Sequence, residues 1–218
     1  MSVRSSLLAE INKSDRELNL AKAALYIAQT EYPDLDVDGQ LQILDDMATE
    51  LTTRLPQSRY PLRVIQTIND YLYAELGFSG NTADYYNPRN SFLNDVLIKR
   101  TGIPLTLALV YLEMSQRVDL PMVGIGMPGH FILRPDFEDS EIFIDAFNQG
   151  EILFTEDCRQ KLVDIYQQEI PTLPPEVLQA VTKQQFLQRM LNNLLQIYLS
   201  QEDIERMLVI KDLLGLFT

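Results

Sequence analysis

Within 218 residues there is one histidine, His130, and one cysteine, Cys158. Imidazole acid–base chemistry must therefore run through His130. Multi-histidine zinc sites, intrachain disulfides and two-cysteine metal or redox motifs are excluded, so neither a metal nor a cofactor is expected. His130 opens the run HFILR, and Asp145 lies in IFIDAF, with PDFED between them. Both runs have the β-branched and aromatic content of strands. A symmetric hairpin pairs Phe131 with Ile144, Ile132 with Phe143 and Leu133 with Ile142, apolar against apolar, and sets His130 opposite Asp145. Directly opposed residues have Cβ atoms within about 5 Å, so the carboxylate would orient the imidazole. Two readings stay open: a poised general base, or a histidine packed beside Pro128-Gly129 whose N–H Asp145 satisfies.

The pair lacks an obvious nucleophile. In cysteine hydrolases of the papain and transglutaminase type, the thiol starts a buried helix, where the helix dipole and the imidazole favour thiolate. The corresponding apolar helix here, PLTLALVYLEM, starts at Pro104. Thr106, two residues in, and Ser91, expected to cap the preceding helix, offer hydroxyls. A helix-interior threonine ordinarily bonds a preceding carbonyl, and a capping serine its own helix. Cys158 falls in the first turn of a later helix. The dipole there favours thiolate and Glu156 and Asp157 oppose it, leaving a reactive thiol or a small packed residue as the alternatives.

Several amphipathic elements must position these groups. Leu18, Ala21, Leu25 and Ala28 share a face of a helix expected over 15–31, before Tyr32-Pro33. Val37, Leu41, Leu44, Ala48, Leu51 and Leu55 recur at alternating steps of four and three, a second helix. A third, over 61–76, is expected to turn Leu62, Ile65, Ile68 and Leu72 inward and to stop at Gly77, and a short one after Ser91 to close at Gly102. The helix from Pro104 is apolar on nearly every face and so central. MVGIGM, HFILR, EIFIDAF and EILF read as strands.

Beyond them, a helix from Thr155 to about 168 and the break IPTLPPE precede helices over 183–199 and 201–216. In this last pair, Phe186, Met190, Leu191, Leu194 and Tyr198 are expected to face Ile204, Met207, Leu208 and Leu214. The hairpin is about one tetratricopeptide repeat long with no second copy, so it either completes the core or offers a repeat-like binding surface. The organisation expected is α+β: an N-terminal helical subdomain over 1–84, a core over 85–170 with a buried central helix and a small antiparallel sheet, and a helical hairpin over 171–218, in one compact unit.

Thirty-one acidic against 18 basic residues give a net charge of −13, which disfavours nucleic acid as a partner. The longest apolar run, Leu107 to Leu112, is far shorter than the ~20 residues of a membrane span. With no leader in MSVRSSLLAE, a cytoplasmic location without membrane attachment is expected.

Taken together, NPRNSFLNDVLIKR, GIPLTLALVYLEMSQRVDLPMVGIGMPGHFIL and FIDAFNQGEIL, in this order, resemble the SirB/YchA family of transglutaminase-like proteins. The resemblance runs over roughly residues 20–200 and implies a transglutaminase-like, papain-like core. In it His130 and Asp145 match the second and third members of a Cys-His-Asp triad, while Pro104 occupies the cysteine position, as is usual within that group. That fold signature with Pro104 at the cysteine position leads to the expectation of a pseudoenzyme that binds a protein or peptide partner, the alternative being a hydrolase or amide-processing enzyme that uses His130 and Asp145 with water or a substitute hydroxyl. Tyr86, Asn90, Ser91, Asn94 and Asn148 are the candidates for lining its cleft, or else they cap and turn the chain. The acidic run EDSE at 138–141 reads as a solvated hairpin tip. The oligomeric state is left open.

Overall fold

A computed structural model describes residues 2–137 and 140–217. Ser2 caps α1 (Val3–Ile11) by accepting the Ser5 N–H. This helix escapes the sequence reading because its buried face is only Leu7, Glu10 and Ile11. The helix expected over 15–31 is shorter, α2 (Leu20–Ala28), because the Asn19 side chain accepts the Lys22 N–H and fixes the start there. Leu18, Ala21, Leu25 and Ala28 are nevertheless all buried.

Asp36 caps α3 (Val37–Arg54), whose buried stripe follows the four-and-three spacing. The third expected helix is α4 (Pro61–Asn69) continued by a π-helical turn, Asp70–Glu75, and it ends at Gly77 with φ +75°. Ile65, Ile68 and Leu72 are buried as expected, whereas Leu62 at the first turn faces solvent and Val64 joins the buried side.

β1 (Ser79–Gly80) pairs in parallel with β2 (Thr101–Gly102), enclosing a 3-10 turn, Pro88–Ser91, and α5 (Leu93–Lys99). Ser91 does not cap α5, because the extended residue at that boundary is Phe92. Nor does Gly102 close it, since Arg100 takes the left-handed conformation at φ 57°. α6 (Pro104–Arg117) starts on Pro104, whose missing N–H costs nothing at a first helical position, and it is buried along nearly its whole length.

β3 (Met122–Ile125), β4 (Ile132–Pro135), β5 (Phe143–Asp145) and β6 (Glu151–Leu153) form an antiparallel sheet in that order. Leu133 pairs with Ile144 and not with Ile142, so the expected register is displaced by two residues, and His130 precedes the strand instead of opening it. Apolar matching favoured the expected register; in the observed one the step from Leu133–Ile144 sets Ile132 against Asp145 and Arg134 against Phe143, so burial on the two faces of the sheet, not cross-strand matching, decides it. A shift of two keeps each side chain on its face, whereas a shift of one would reverse every one.

The sheet is covered on both sides. Leu133 and Ile144 join the main core with α6, while Ile132, Phe143 and Leu153 pack with Cys158 and Leu162 of α7 (Thr155–Tyr166) in a second one. α8 (Lys183–Ser200) buries its predicted stripe. α9 (Ile204–Leu214) turns Ile210 and Leu213 inward and leaves Ile204 at 65% and Leu208 at 58% exposure, against expectation. Its sequence carries two apolar strips, and α8 covers the other one. At the hairpin tip, Glu138 and Asp139 lie outside the described residues. The architecture is α+β, and among the described residues no helix is long and apolar enough to cross a membrane.

Candidate functional site

Asp145 ends β5, has no solvent exposure and accepts contacts from three elements. His130 Nε2 lies 2.8 Å from Oδ2, Asn148 Nδ2 donates to the same oxygen at 2.8 Å, and Lys161 Nζ of α7 approaches it at 3.0 Å. The backbone N–H groups of Phe147 and Asn148 donate to Oδ1 at 3.1 and 3.2 Å. Burial by itself would raise the carboxyl's pKa. The hydrogen bond and charge of His130, the Asn148 amide and the Lys161 ammonium outweigh it and hold Asp145 well below the usual carboxylate range. Lys161 is shifted upward, because Glu151 and Asp145 outweigh its own desolvation. With the carboxylate ionised, Nε2 is the donor in the His130 contact, and a neutral imidazole keeps Nδ1 as its acceptor.

The turn after Asp145 is built to hold this arrangement. The Gly150 N–H returns to the Asp145 carbonyl at 2.9 Å, and Gly150 has φ +74°. From the helical layer, Asn69 Nδ2 donates to the Gly150 carbonyl at 2.8 Å, and Tyr111 O–H in turn donates to Asn69 Oδ1 at 2.9 Å. Tyr73 O–H reaches the Ala146 carbonyl at 3.0 Å. A Cβ at Gly150 would come within 2.1 Å of Asn69 Oδ1, so that position requires glycine on two grounds. Edge-to-face rings, Tyr86 on Tyr85, Tyr85 on Phe147 and Phe147 on His130, continue the wall outward.

On the helix side, Pro104 and Leu105 line a pocket of about 270 Å³ together with Tyr85, His130, Phe131 and Arg189. The Thr106 hydroxyl is buried and engaged: it donates to the Asn90 carbonyl at 2.6 Å and accepts the Ile103 N–H at 3.1 Å. Thr106 thus locks the start of α6, and among the described residues no serine, threonine or cysteine side chain is hydrogen-bonded to His130. Asn90 is buried and holds the loop before it, donating to the Asp84 and Tyr85 carbonyls at 2.7 and 3.1 Å. Ser91 and Asn94 are buried beside it, and neither Ser91 Oγ nor Asn94 Oδ1 has a partner among the described residues. Tyr86 is 71% exposed, and Asn148 is exposed while bonding Asp145. Cys158 sits in the second core, its thiol pushed up to about 12 by burial and by Asp157.

The arrangement can hold an imidazole in one tautomer against a buried carboxylate at the edge of a small pocket. Two of its members were missed from sequence. Lys161 follows Cys158 by three residues, on the apolar side of α7, and Arg189 follows Phe186 by three on α8. In each case the legible signal was one cation beside a buried helical stripe. Among the described residues no cluster of three or more histidine, cysteine or acidic residues is placed to hold a metal ion.

Residues 40–192 match the family model described as transglutaminase-like superfamily. A UPF0162 protein of Xylella fastidiosa (strain 9a5c) is 35% identical over 187 residues, 84% of this chain and 66% of that protein. A UPF0162 protein of Pseudomonas aeruginosa is 32% identical, over 82% of this chain and 64% of that one. Human F-box only protein 21 is 31% identical over 88% of this chain, which makes up 34% of its own length. The chain therefore spans about two thirds of the UPF0162 relatives and about one third of the F-box protein. No solved structure matches it.

Proposed function

Because the chain belongs to the transglutaminase-like superfamily, we propose that it is a pseudoenzyme of that fold whose His130 cleft binds a protein or peptide segment. The observation that carries this reading is the combination at one pocket of an oriented His130-Asp145 pair with Pro104 at the first position of α6. The base and its orienting carboxylate are held in place, and the residue where a thiol would stand has no side-chain proton to give up. The likeness to F-box only protein 21, in which such a region is one part of a much longer chain, fits a module that works through other proteins. The block order of the sequence further supports placing the chain in the SirB/YchA group, with α8 and α9 as a repeat-like hairpin.

The test is a screen with hydrolase probes and glutamine-donor peptides on the wild type and on His130→Ala, Thr106→Ala and Cys158→Ser, all checked for folding. The expected result is no labelling or turnover that depends on His130. A signal lost in His130→Ala would overturn the proposal and favour the second reading, a hydrolase or amide-processing enzyme. That reading has its own observation: His130 Nδ1 has no protein hydrogen bond among the described residues, and the ring borders a pocket large enough for water.

A further inference from the structure

The pocket beside His130 has a charge that the rest of the chain does not share. Its lining, which includes Tyr85, Pro104, His130, Phe131, Arg189 and Asn193, holds no acidic side chain, in a chain with 31 of them. Arg189 and Asn193 are four residues apart on α8 and so share its face. Arg189 Nη2 donates to the carbonyls of Met127 and His130, each at 2.7 Å, and the guanidinium lies 5.5 Å from the Phe131 ring centroid. These contacts fix its plane and occupy one nitrogen. Nε and Nη1 make no hydrogen bond to protein among the described residues.

Other arginines differ. Arg54, Arg117, Arg159 and Arg206 each meet a carboxylate. Of the arginines with no ion pair among the described residues, only Arg134 and Arg189 are half-buried, and Arg189 is the one that lines the His130 pocket. Burial also lowers its pKa, and no carboxylate opposes that shift. A partly desolvated cation without a counter-ion is costly, and an anion entering the pocket would offset that cost. Guanidinium donors favour carboxylates over neutral amides, because charge-assisted hydrogen bonds are about twice as strong.

We propose that this pocket is a carboxylate-binding site, in which Arg189, fixed by the Met127 and His130 carbonyls, takes the carboxylate of a bound peptide. The inference rests on reading the His130 cleft as a peptide site and adds the chemistry it selects. The carboxylate belongs to a chain end or to an acidic side chain. Because Arg189 bonds the His130 carbonyl, an occupant is sensed at the imidazole as well.

The test is a titration of the isotope-labelled full chain, followed by nuclear magnetic resonance at the Arg189 guanidinium and the His130 ring. The probes are acetyl-trialanine with a free C-terminus, its C-terminal amide, and an acetyl-tripeptide amide with a central glutamate. At least one acid should shift both resonances saturably, at a concentration roughly tenfold or more below that needed by the trialanine amide. Whichever acid does so identifies the source of the carboxylate. Arg189→Gln should abolish the preference, and Arg189→Lys should keep it at reduced affinity. Equal binding of acid and amide would overturn the carboxylate site while leaving a peptide-binding cleft. Saturable acid binding undiminished in Arg189→Gln, or no response to either acid, would also overturn it. If Arg189→Gln does not fold, the acid-against-amide comparison on the wild type decides. Labelling by hydrolase probes would sink the pseudoenzyme reading alone, with Arg189 then an anchor for substrate carboxylate.

Discussion

On the sheet side of the His130 pocket, Asp145 is buried and contacted by the imidazole, an amide, an ammonium and two backbone N–H groups. On the helix side stand Pro104, with no donor, and Thr106, whose hydroxyl is spent on the Asn90 carbonyl and the Ile103 N–H. The two walls carry different penalties for change. A buried carboxylate must keep its partners, because each one removed leaves charge or a donor unsatisfied in a low dielectric. The first position of a helix makes no such demand and accepts proline freely. Proline can therefore stand at the start of α6 without disturbing the His130-Asp145 pair beside it.

Substitutions at four positions would break or sharpen that contrast. Asp145→Ala strands His130 and Asn148, leaves Lys161 only Glu151, and should cost about 3–5 kcal/mol in chemical denaturation; a loss under about 1 kcal/mol would show the network to be dispensable. The same residue sets an acid dependence. Its pKa is lower folded than unfolded, so the unfolded state binds more protons in the interval between the two values, and stability rises with pH there. The contribution is full above the ordinary aspartate range and is lost as pH falls below about 4. Unfolding curves of wild type and Asp145→Asn should accordingly converge on acidification, and a constant gap would contradict the assignment.

Gly150→Ala meets Asn69 and a left-handed backbone, and should lose roughly 1–3 kcal/mol and broaden the His130 resonance. Thr106→Ala, on the opposite wall, should cost about 1 kcal/mol in stability and leave ligand binding at His130 unchanged. Were binding lost with the fold intact, Thr106 would belong to the site. The smallest effect on stability should come from Pro104→Cys, which sharpens the comparison by placing a thiol at the start of α6. Its alkylation near pH 6 should be roughly tenfold faster than in the double variant that also carries His130→Ala. Equal rates would place the imidazole out of reach of α6.

Much of this site was legible because its signals are local or depend only on parity. His130 and Asp145 emerged from two short runs rich in β-branched and aromatic residues, and a register error of two residues did not separate them, since both stayed on their predicted side. Pro104 was legible from the proline rule for helix starts, and α3 from its spacing. Lys161 and Arg189 were not, because a cation beside an apolar stripe reads equally well as a solvated flank until its carboxylate or carbonyl partners arrive from distant chain. The Ser91 assignment failed for a related reason. A serine before a short helix is a good cap in isolation, and here the preceding 3-10 turn carries it inward and gives the boundary to Phe92.

By itself the sequence determined the chemical inventory, the α+β order of elements and the absence of any second histidine or cysteine for catalysis, since composition and short-range periodicity are properties of the chain alone. Tertiary structure alone decided the strand register, which apolar strip of α9 is covered, and the meeting of Arg189 with the His130 loop. Each is a choice among arrangements of nearly equal local energy. Packing between segments far apart in sequence, 59 residues in the case of Arg189 and His130, separates them.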